Sequence, residues 1–200
     1  MTVAFNPLGI NKPIADTRIV VAMSGGVDSS VAAALLVRQG YDVHGVTLQV
    51  WEHEDEHVAA SKKWQERGCC KVGIAKHVAK TLRIPHEVID TRQSFRTAVI
   101  DDFLDGYTHG ITPNPCVRCN DWLKFGRLAQ YAEAVGADYV ASGHYARVGT
   151  DDGGRRVLMR GLDHRKDQSY VLHTLTQEQM DFIRFPLGNL VKPEVRRLAR

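Results

Sequence analysis

The sequence has few of the features that mark secreted and membrane proteins. Its 200 residues include four cysteines, and neither the adjacent pair nor the Cys-x-x-Cys pair resembles a small secreted disulfide scaffold, which favours a reducing cytoplasm. No run of about 20 apolar residues occurs, so we expect no transmembrane helix and no membrane partner. The amino terminus also lacks the long apolar core and the small-residue cleavage site of a secretory signal.

An excess of charge of one sign is also missing. The net charge is +3 and the pI is about 8.7, whereas domains that bind nucleic acid through charge alone are usually more basic. An anionic partner is therefore allowed but not required. Hydrophobic residues make up 44% of the chain, enough for one domain with a sizeable core. We expect a flexible lead-in at residues 1–17, a main domain at 18–185, and the start of a following helical region at 186–200.

Short apolar runs alternate with segments of helical periodicity along most of the chain. The runs predict strands at residues 18–22, 41–50, 86–90 and 138–142, and the periodic segments predict helices at 29–38, 72–82, 95–107 and 122–135. Such alternation is typical of a parallel sheet covered by helices on both faces. We predict an α/β fold of the Rossmann-like type with about five parallel strands.

Some segments depart from this alternation. Residues 52–70 carry many charges and histidines, and residues 108–121 form a polar loop with prolines; long loops in such domains are usually functional or disordered. Asp-Asp-Gly-Gly at 151–154 predicts a hairpin tip, with 156–160 as its return strand. An amphipathic helical pattern begins at 193 and stops at 200, so we expect the chain to be a fragment of a longer protein.

The segment between the first strand and the first helix has the composition of an anion-binding loop. It reads Ser-Gly-Gly-Val-Asp-Ser-Ser over residues 24–30. Two glycines let backbone N–H groups approach an anion without interference from Cβ, and the helix amino terminus adds partial positive charge. The loop also follows the carboxyl end of a strand, where open α/β sheets bind ligands. A tight Gly-Gly turn with an Asp/Ser helix cap is the structural alternative.

Asp28 distinguishes this loop, because a carboxylate beside a phosphate is unfavourable unless a metal bridges them. We therefore expect Mg²⁺ next to Asp28. No Gly-Lys-Ser/Thr sequence follows the glycines, so the common kinase-type P-loop is excluded. Ser-Gly-Gly-x-Asp-Ser instead resembles the loop of the N-type ATP pyrophosphatases, which cleave ATP between the α and β phosphates and adenylate an oxygen.

A second segment, residues 112–120, reads Thr-Pro-Asn-Pro-Cys-Val-Arg-Cys-Asn. Its two prolines stiffen the backbone. Arg118 adjoins Cys119, and a helix predicted to begin near Asp121 would place its amino terminus beside the same thiol; both features favour the thiolate. A rigid loop that holds an activated cysteine suits sulfur chemistry.

Four motifs, in their order along the chain, resemble those of the tRNA-specific 2-thiouridylase family. They are Ser-Gly-Gly-Val-Asp-Ser, Thr-Pro-Asn-Pro-x-x-x-Cys-Asn, Ser-Gly-His-Tyr at 142–145 and Lys-Asp-Gln-Ser-Tyr at 166–170. The resemblance implies an adenine nucleotide α-hydrolase-like fold, a tRNA partner modified at its wobble uridine, and a sulfur-relay donor protein. It also implies ATP-dependent adenylation of the uridine C2 oxygen, followed by sulfur transfer from a persulfide to give 2-thiouridine.

The same resemblance implies roles by position. ATP contacts are implied for Ala22, Met23, Ser24, Gly25, Gly26, Val27, Asp28 and Ser29, together with Leu48 and Gly143. Contacts to the target base are implied for Asn114, Pro115 and Cys116, and other tRNA contacts for Lys166, Asp167 and Gln168. Cys119 takes the position of the catalytic nucleophile, which either attacks the persulfide or carries the sulfide forward. The persulfide-bearing cysteine of the family would lie beyond Arg200.

Cys116 departs from the family pattern, since many members have Asp at this position. It forms a Cys-x-x-Cys pair with Cys119, which also fits an iron–sulfur cluster if a downstream cysteine adds a third ligand, as in the cluster-dependent tRNA thiolases. Two further hypotheses stay open. One is an ammonia-using ligase of the same superfamily, and the other is a non-catalytic module that binds a nucleotide or a metal.

Other polar and aromatic residues have simpler explanations. Cys69 and Cys70 are expected to be structural or incidental thiols, and the acidic, histidine-containing stretch at 52–57 is expected to be a solvated loop. His144 suits an ordinary polar contact as well as a catalytic task, and Lys124 is a candidate to stabilise charge on phosphate oxygens. Packing, rather than the stacking of bases, is the default expectation for Trp51, Trp64 and Trp122.

Overall fold

A parallel sheet forms the centre of the protein in a computed structural model that describes residues 6–8, 10–51 and 71–200. The strands are β1 (Arg18–Ala22), β2 (Asp42–Gln49), β3 (His86–Asp90), β4 (Tyr139–Ala141), β5 (Ala146–Thr150), β6 (Arg156–Arg160) and β7 (Ile183–Arg184). Five of them run parallel in the order β3-β2-β1-β4-β7. The predicted α/β class with five parallel strands is therefore confirmed.

Helices connect the strands. They are α1 (Val27–Arg38), α2 (Val72–Leu82), α3 (Arg92–Phe95, Arg96–Asp101 and Asp102–Thr108 in succession), α4 (Pro115–Arg118, Cys119–Arg127 and Leu128–Ala134 in succession), α5 (Gln177–Phe182) and α6 (Lys192–Leu198). The middle stretch of α3 and that of α4 have π-helical hydrogen bonding. Single-turn π segments are frequent at functional sites, and longer ones are rare.

Both faces of the sheet are covered, because alternate residues of β1 point in opposite directions. Ile19 and Val21 pack with small residues of α1 and α2 on one face. Val20, on the other face, packs with Leu123 and Leu128 of α4. All three β1 side chains are fully buried. This explains why β1 reads as a continuous apolar run instead of an alternating one.

Several element boundaries differ from the prediction by one or two residues, and two helix starts differ by more. The helix expected from residue 122 begins at Pro115, because the Asn114 side chain accepts the N–H groups of Cys116 and Val117 and proline suits the first helical position. The helix expected from residue 95 begins at Arg92. Much of the predicted 108–121 loop is therefore helical. Strand β7 was not predicted, since two residues carry no readable periodicity.

The second half of the chain adds a hairpin and a docked helix. Strands β5 and β6 pair antiparallel around the predicted tip at 151–154. Helix α6 packs on α1 through Val195, which is fully buried with Val31 and Ala32. The domain boundary after residue 185 stays a prediction. No helix in the described part of the chain has the length and apolar character needed to cross a membrane.

Candidate active site

The candidate site lies at the carboxyl edge of the sheet, where β1 and β4 end side by side. The loop at 24–30, named here the phosphate loop, follows β1, and residues 142–145 follow β4. Open α/β sheets bind ligands where neighbouring strands lead to opposite faces. Here α1 covers one face and α4 the other, so the motifs meet at such a point.

The phosphate loop owes its shape to its glycines and serines. Gly25 has a positive φ of 74°, and a Cβ there would collide with the backbone of Lys71. Gly26 precedes the first residue of α1, and its carbonyl accepts the hydroxyls of Ser29 (3.0 Å) and Ser30 (2.9 Å). Ser29 also accepts the Ser24 N–H at 3.2 Å. These bonds link Ser24, Gly26, Ser29 and Ser30 and fix the conformation of the loop.

Two of the other residues predicted to contact ATP support the loop from the strand side. The backbone N–H of Met23 donates to the carbonyl of Val46 at 2.7 Å, and the Met23 carbonyl accepts the Thr47 hydroxyl at 2.6 Å. Ala22, the last residue of β1, pairs with the same Val46. Val27 begins α1 with a largely exposed side chain.

Gly143 touches the start of α1. A Cβ at this position would lie 2.7 Å from the Ser29 nitrogen and 2.8 Å from the Asp28 carbonyl carbon. Only glycine therefore permits this approach. The structure thus places Gly143 against the phosphate loop, as a residue at the nucleotide site must be placed. Its contact with the ribose or adenine stays a prediction.

Asp28 is held by two partners from distant parts of the chain. Its Oδ1 accepts the Tyr145 hydroxyl at 2.9 Å and lies 2.5 Å from the Lys192 Nζ. Burial and then the hydrogen bond to Asp28 raise the pKa of Tyr145 well above its usual value, so this side chain is a neutral donor. Tyr145 belongs to a predicted motif, whereas Lys192 was not predicted to take part in the site.

His144 is a buried, neutral residue. Its Nδ1 lies 2.8 Å from the Ser142 hydroxyl, and its ring packs near Phe125 and Phe185. Burial, and then the nearby positive charge of Lys124, lower its pKa to about 3. Of the two predicted roles, this geometry favours the ordinary polar contact, because an imidazole so difficult to protonate is a poor general acid.

The residues at 112–120, named here the cysteine segment, belong to the start of α4. Asn114 caps the helix with its side chain, and Pro115 occupies the first turn. Cys116 is exposed. Cys119 is half-buried and packs against the apolar cluster that contains Leu48. Helix α4 leads into β4, which runs parallel to β1, so the helix begins at the carboxyl edge of the sheet and its first residues, the cysteine segment, share that edge with the phosphate loop.

The predicted cause of thiolate formation at Cys119 needs correction. The helix amino terminus lies at Pro115, so Cys119 is a full turn inside the helix, where the effect of the dipole has largely faded. The Arg118 guanidinium donates to both carboxylate oxygens of Asp102, at 3.1 and 2.9 Å. Its charge is thus paired with Asp102. The sequence shows that Arg118 and Cys119 are neighbours but does not show this pairing.

The Lys-Asp-Gln residues, predicted to bind tRNA, differ in their surroundings. Lys166 is exposed. The Asp167 carboxylate accepts the Gly161 N–H and the Ser169 hydroxyl; burial raises its pKa, but these hydrogen bonds outweigh burial and leave the pKa lowered. Gln168 and Tyr145 exchange two hydrogen bonds through the Tyr145 backbone, at 3.1 and 2.9 Å. Asp167 and Gln168 therefore shape their loop, and Lys166 is the one free to reach a phosphate.

Metal ligands are sparse in the part of the chain that the structure describes. No group of three or more His, Cys, Asp or Glu side chains is arranged there to hold an ion. A single carboxylate such as that of Asp28 would be enough for Mg²⁺, which commonly binds through one or two carboxylates plus substrate phosphates. Cys116 and Cys119 provide two of the ligands that an iron–sulfur cluster requires.

Several predicted features lie outside the described residues: Cys69, Cys70, Trp64 and the acidic stretch at 52–57. Two tryptophans are described. Trp51 is 47% exposed and packs edge-on against Phe95, and Trp122 is 61% exposed. Core or rim packing was expected for each tryptophan; Trp122 is not in the core, and its side chain is exposed next to the cysteine segment.

Comparison with solved structures agrees with the fold. A glutamine-dependent NAD+ synthetase from Acinetobacter baumannii, solved in complex with adenosine diphosphate, superposes with a TM-score of 0.51 at 13% identity. The match covers 92% of this chain and 28% of that one. At this identity the similarity concerns the fold alone.

Curated relatives are much closer in sequence. The tRNA-specific 2-thiouridylase MnmA of Methylobacterium nodulans is 53% identical over 98% of this chain and 50% of its own length. The proteins of the same name from Geotalea uraniireducens and Clostridium perfringens are 50% and 49% identical, over 91% and 92% of this chain. The chain spans about half the length of these relatives. The resemblance predicted from the four motifs is confirmed.

The family assignment covers nearly the whole sequence. Residues 17–200 match the family described as the tRNA methyl transferase HUP domain. This range includes the phosphate loop, the cysteine segment and both later motifs. The chain therefore belongs to the tRNA methyl transferase HUP-domain family.

Proposed function

We propose that the protein activates a wobble uridine of tRNA with ATP and takes part in replacing the C2 oxygen of that uridine with sulfur. One juxtaposition carries the proposal: an anion-binding loop without a kinase-type lysine shares a sheet edge with a half-buried cysteine. Relatives of about 50% identity whose names state tRNA 2-thiouridylase activity support it. A cytoplasmic location and a sulfur-relay donor protein belong to the same proposal.

Adenylation is the first step. The backbone N–H groups of the phosphate loop and the start of α1 bind the ATP phosphates. The uridine O2 attacks the α-phosphorus, the bond from that phosphorus to the bridging oxygen breaks, and pyrophosphate leaves. Asp28 would hold Mg²⁺, which neutralises charge on the phosphate oxygens when bound. Lys124, which forms no ion pair with any described residue, supplies a positive charge close to His144 and the site.

Sulfur transfer follows. The terminal sulfur of a persulfide attacks C2 of the adenylated uridine, and the C2–O2 bond breaks to release AMP. The Cys119 thiolate then attacks the inner persulfide sulfur, leaving 2-thiouridine and a disulfide that an external thiol reduces. Asn114, Pro115 and exposed Cys116 line the approach to Cys119 and are proposed to contact the base.

The products of ATP cleavage test the proposal. When the full-length protein is given ATP, Mg²⁺ and tRNA transcribed without modifications, we expect AMP and pyrophosphate in equal amounts, measured by anion-exchange chromatography. Asp28→Asn should lower the rate at least tenfold, since one of the groups that would hold the metal is lost. Formation of ADP and phosphate as main products would refute the proposal.

Cys116 supports a second candidate mechanism, in which a cluster replaces direct persulfide transfer. The observation in its favour is that Cys116 and Cys119 lie one turn apart on α4. Iron content of anaerobically prepared protein separates the two mechanisms. Direct transfer predicts that Cys116→Asp keeps substantial activity and that the protein binds no iron, whereas a cluster predicts loss of both iron and activity in this variant.

A further inference from the structure

Lys192 joins the phosphate loop from the far end of the described chain. It is the first residue of α6, 164 positions after Asp28, and its Nζ lies 2.5 Å from the Asp28 Oδ1. The Lys192 side chain is only 18% exposed, and its ammonium lies 5.8 Å from the centre of the Tyr145 ring. A positive charge therefore lies within the anion-binding loop although the loop motif has no lysine.

The position of Lys192 does not depend on this ion pair. Its backbone N–H donates to the Asp163 carboxylate at 2.9 Å. Three residues further along α6, Val195 is fully buried against Val31 and Ala32 of α1. The side chains of Asp28 and Lys192 are 35% and 18% exposed. The backbone contact and the packing of α6 bring Lys192 to this point independently of the ion pair.

The site changes its charge balance when a nucleotide binds. Without ligand, the Asp28 carboxylate is neutralised by Lys192. A bound triphosphate brings several negative charges beside the same carboxylate, which then needs a metal partner. The Lys192 ammonium, on a flexible stem of four methylene groups, can move from the carboxylate to a phosphate oxygen without a shift of the backbone.

We propose that Lys192 is a phosphate-binding residue of this site, which exchanges Asp28 for the β- and γ-phosphate oxygens of ATP and holds the pyrophosphate as it leaves. The inference deepens the proposed function and rests on it. It assigns to α6 the role that a lysine within the loop has in kinase-type P-loops. Asp28 is released for the metal by the same exchange.

Nucleotide affinity tests the inference, because the β and γ phosphates are absent from AMP. Isothermal titration calorimetry should show that Lys192→Met weakens Mg-ATP binding about tenfold or more, the usual range for a lost hydrogen bond to a charged group. AMP affinity should stay within about twofold. Lys192→Arg, which keeps the charge, should retain most of the ATP affinity. Lys80→Met, on an exposed position of α2, is the matched control.

Four outcomes overturn the inference. Unchanged ATP affinity in Lys192→Met removes it. Equal losses for ATP and AMP, or a lowered melting temperature without nucleotide, assign Lys192 a structural role instead. If the wild-type chain binds neither nucleotide, the proposed function is overturned, and this inference with it. That result is seen in the wild type, whereas failure of this inference alone is seen only in the Lys192 variants.

A double variant separates direct contact from simple neutralisation of Asp28. If Lys192 binds phosphate, Lys192→Met should still weaken ATP binding at least fivefold when it is introduced into Asp28→Asn. If Lys192 serves only to neutralise the carboxylate, the loss should vanish in that background, which would contradict the proposal.

Discussion

The phosphate loop and the cysteine segment lie at one edge of the sheet but are built differently. In the phosphate loop, Ser29 is 6% exposed and bonded to its neighbours, and Gly143 fits against it with no space for a methyl group. In the cysteine segment, Cys116 is exposed and the backbone passes from α- to π-helical hydrogen bonding at Cys119. One region is tightly constrained and the other is accessible.

This difference matches the tasks proposed for the two regions. Stabilisation of charge on phosphates requires donors that are already in place, since reorganisation would reduce their effect. A cysteine that receives sulfur from another group must instead be reached by that group. Changes in the phosphate loop should therefore affect nucleotide binding, and changes at the cysteines should affect sulfur transfer while nucleotide binding persists.

The largest expected effect is at Cys119. In the full-length protein, Cys119→Ser should abolish 2-thiouridine formation while leaving ATP affinity within about twofold, because a hydroxyl does not replace the thiolate as a sulfur nucleophile. Mass spectrometry of nucleosides from tRNA measures the product. Cys116→Asp is the comparison variant and should retain substantial activity under direct transfer. An active Cys119→Ser protein would remove Cys119 from the mechanism.

Gly143→Ala should show how tightly the phosphate loop is constrained. The added methyl group would lie 2.7 Å from the Ser29 nitrogen, so we expect about 1–3 kcal/mol of destabilisation, as for other overpacked sites, and at least tenfold weaker ATP binding. Urea unfolding and calorimetry measure the two effects. Gly73→Ala, with no atom within 4 Å of the new methyl group, should leave both unchanged or raise stability slightly.

His144 should make stability depend on pH. Because burial holds its folded-state pKa near 3 and the unfolded value is about 6.5, the unfolded chain binds more protons between these values. The stability that depends on a neutral His144 should therefore be fully retained above pH 6.5. Below that pH the free energy of unfolding should fall, by up to about 2 kcal/mol at pH 5. His144→Gln should flatten this dependence in urea titrations. An equal slope in variant and wild type would show that His144 is not its source.

The smallest effect should come from the ion pair that flanks Cys119. Asp102→Asn removes the bidentate partner of Arg118, and exposed pairs of this kind contribute about 0–1 kcal/mol. Melting temperature should change by a few degrees at most, and thiolation by less than about threefold. A large loss of thiolation with normal stability would mean that this pair positions the cysteine segment.

Local patterns were sufficient to predict most of the fold. The bounds of α2 and β3 agree with the prediction residue for residue, because apolar runs and helical periodicity are local signals. The start of α4 was wrong, since the two prolines suggested a loop although Asn114 and Pro115 form a good helix start. Strand β7 depends on its neighbour β4 rather than on its own two residues.

The site was predictable where its residues belong to motifs and not where it depends on distant contacts. The phosphate loop, Gly143 and Cys119 belong to motifs and lie at one sheet edge, while their contacts with ATP and sulfur stay predictions. The contact between Lys192 and Asp28 spans 164 residues, and no local pattern encodes it. A lysine followed by proline at a helix start is too common a sequence to indicate a ligand. The bonds of Asp167 to Gly161 and Ser169 are local, but the motif was interpreted as a tRNA contact and not as a loop that bonds to itself.

Trapping the adenylated tRNA tests most directly the claim that the two regions perform separate steps. Cys119→Ser protein is incubated with Mg²⁺, unmodified tRNA and ATP labelled with ³²P at the α or the γ phosphate. We expect label from the α phosphate to accumulate on the tRNA and to be released as AMP on hydrolysis. No such label should appear when Asp28→Asn is added to the variant. Transfer of the γ label, or no transfer of the α label by a variant that still binds ATP, would contradict that claim.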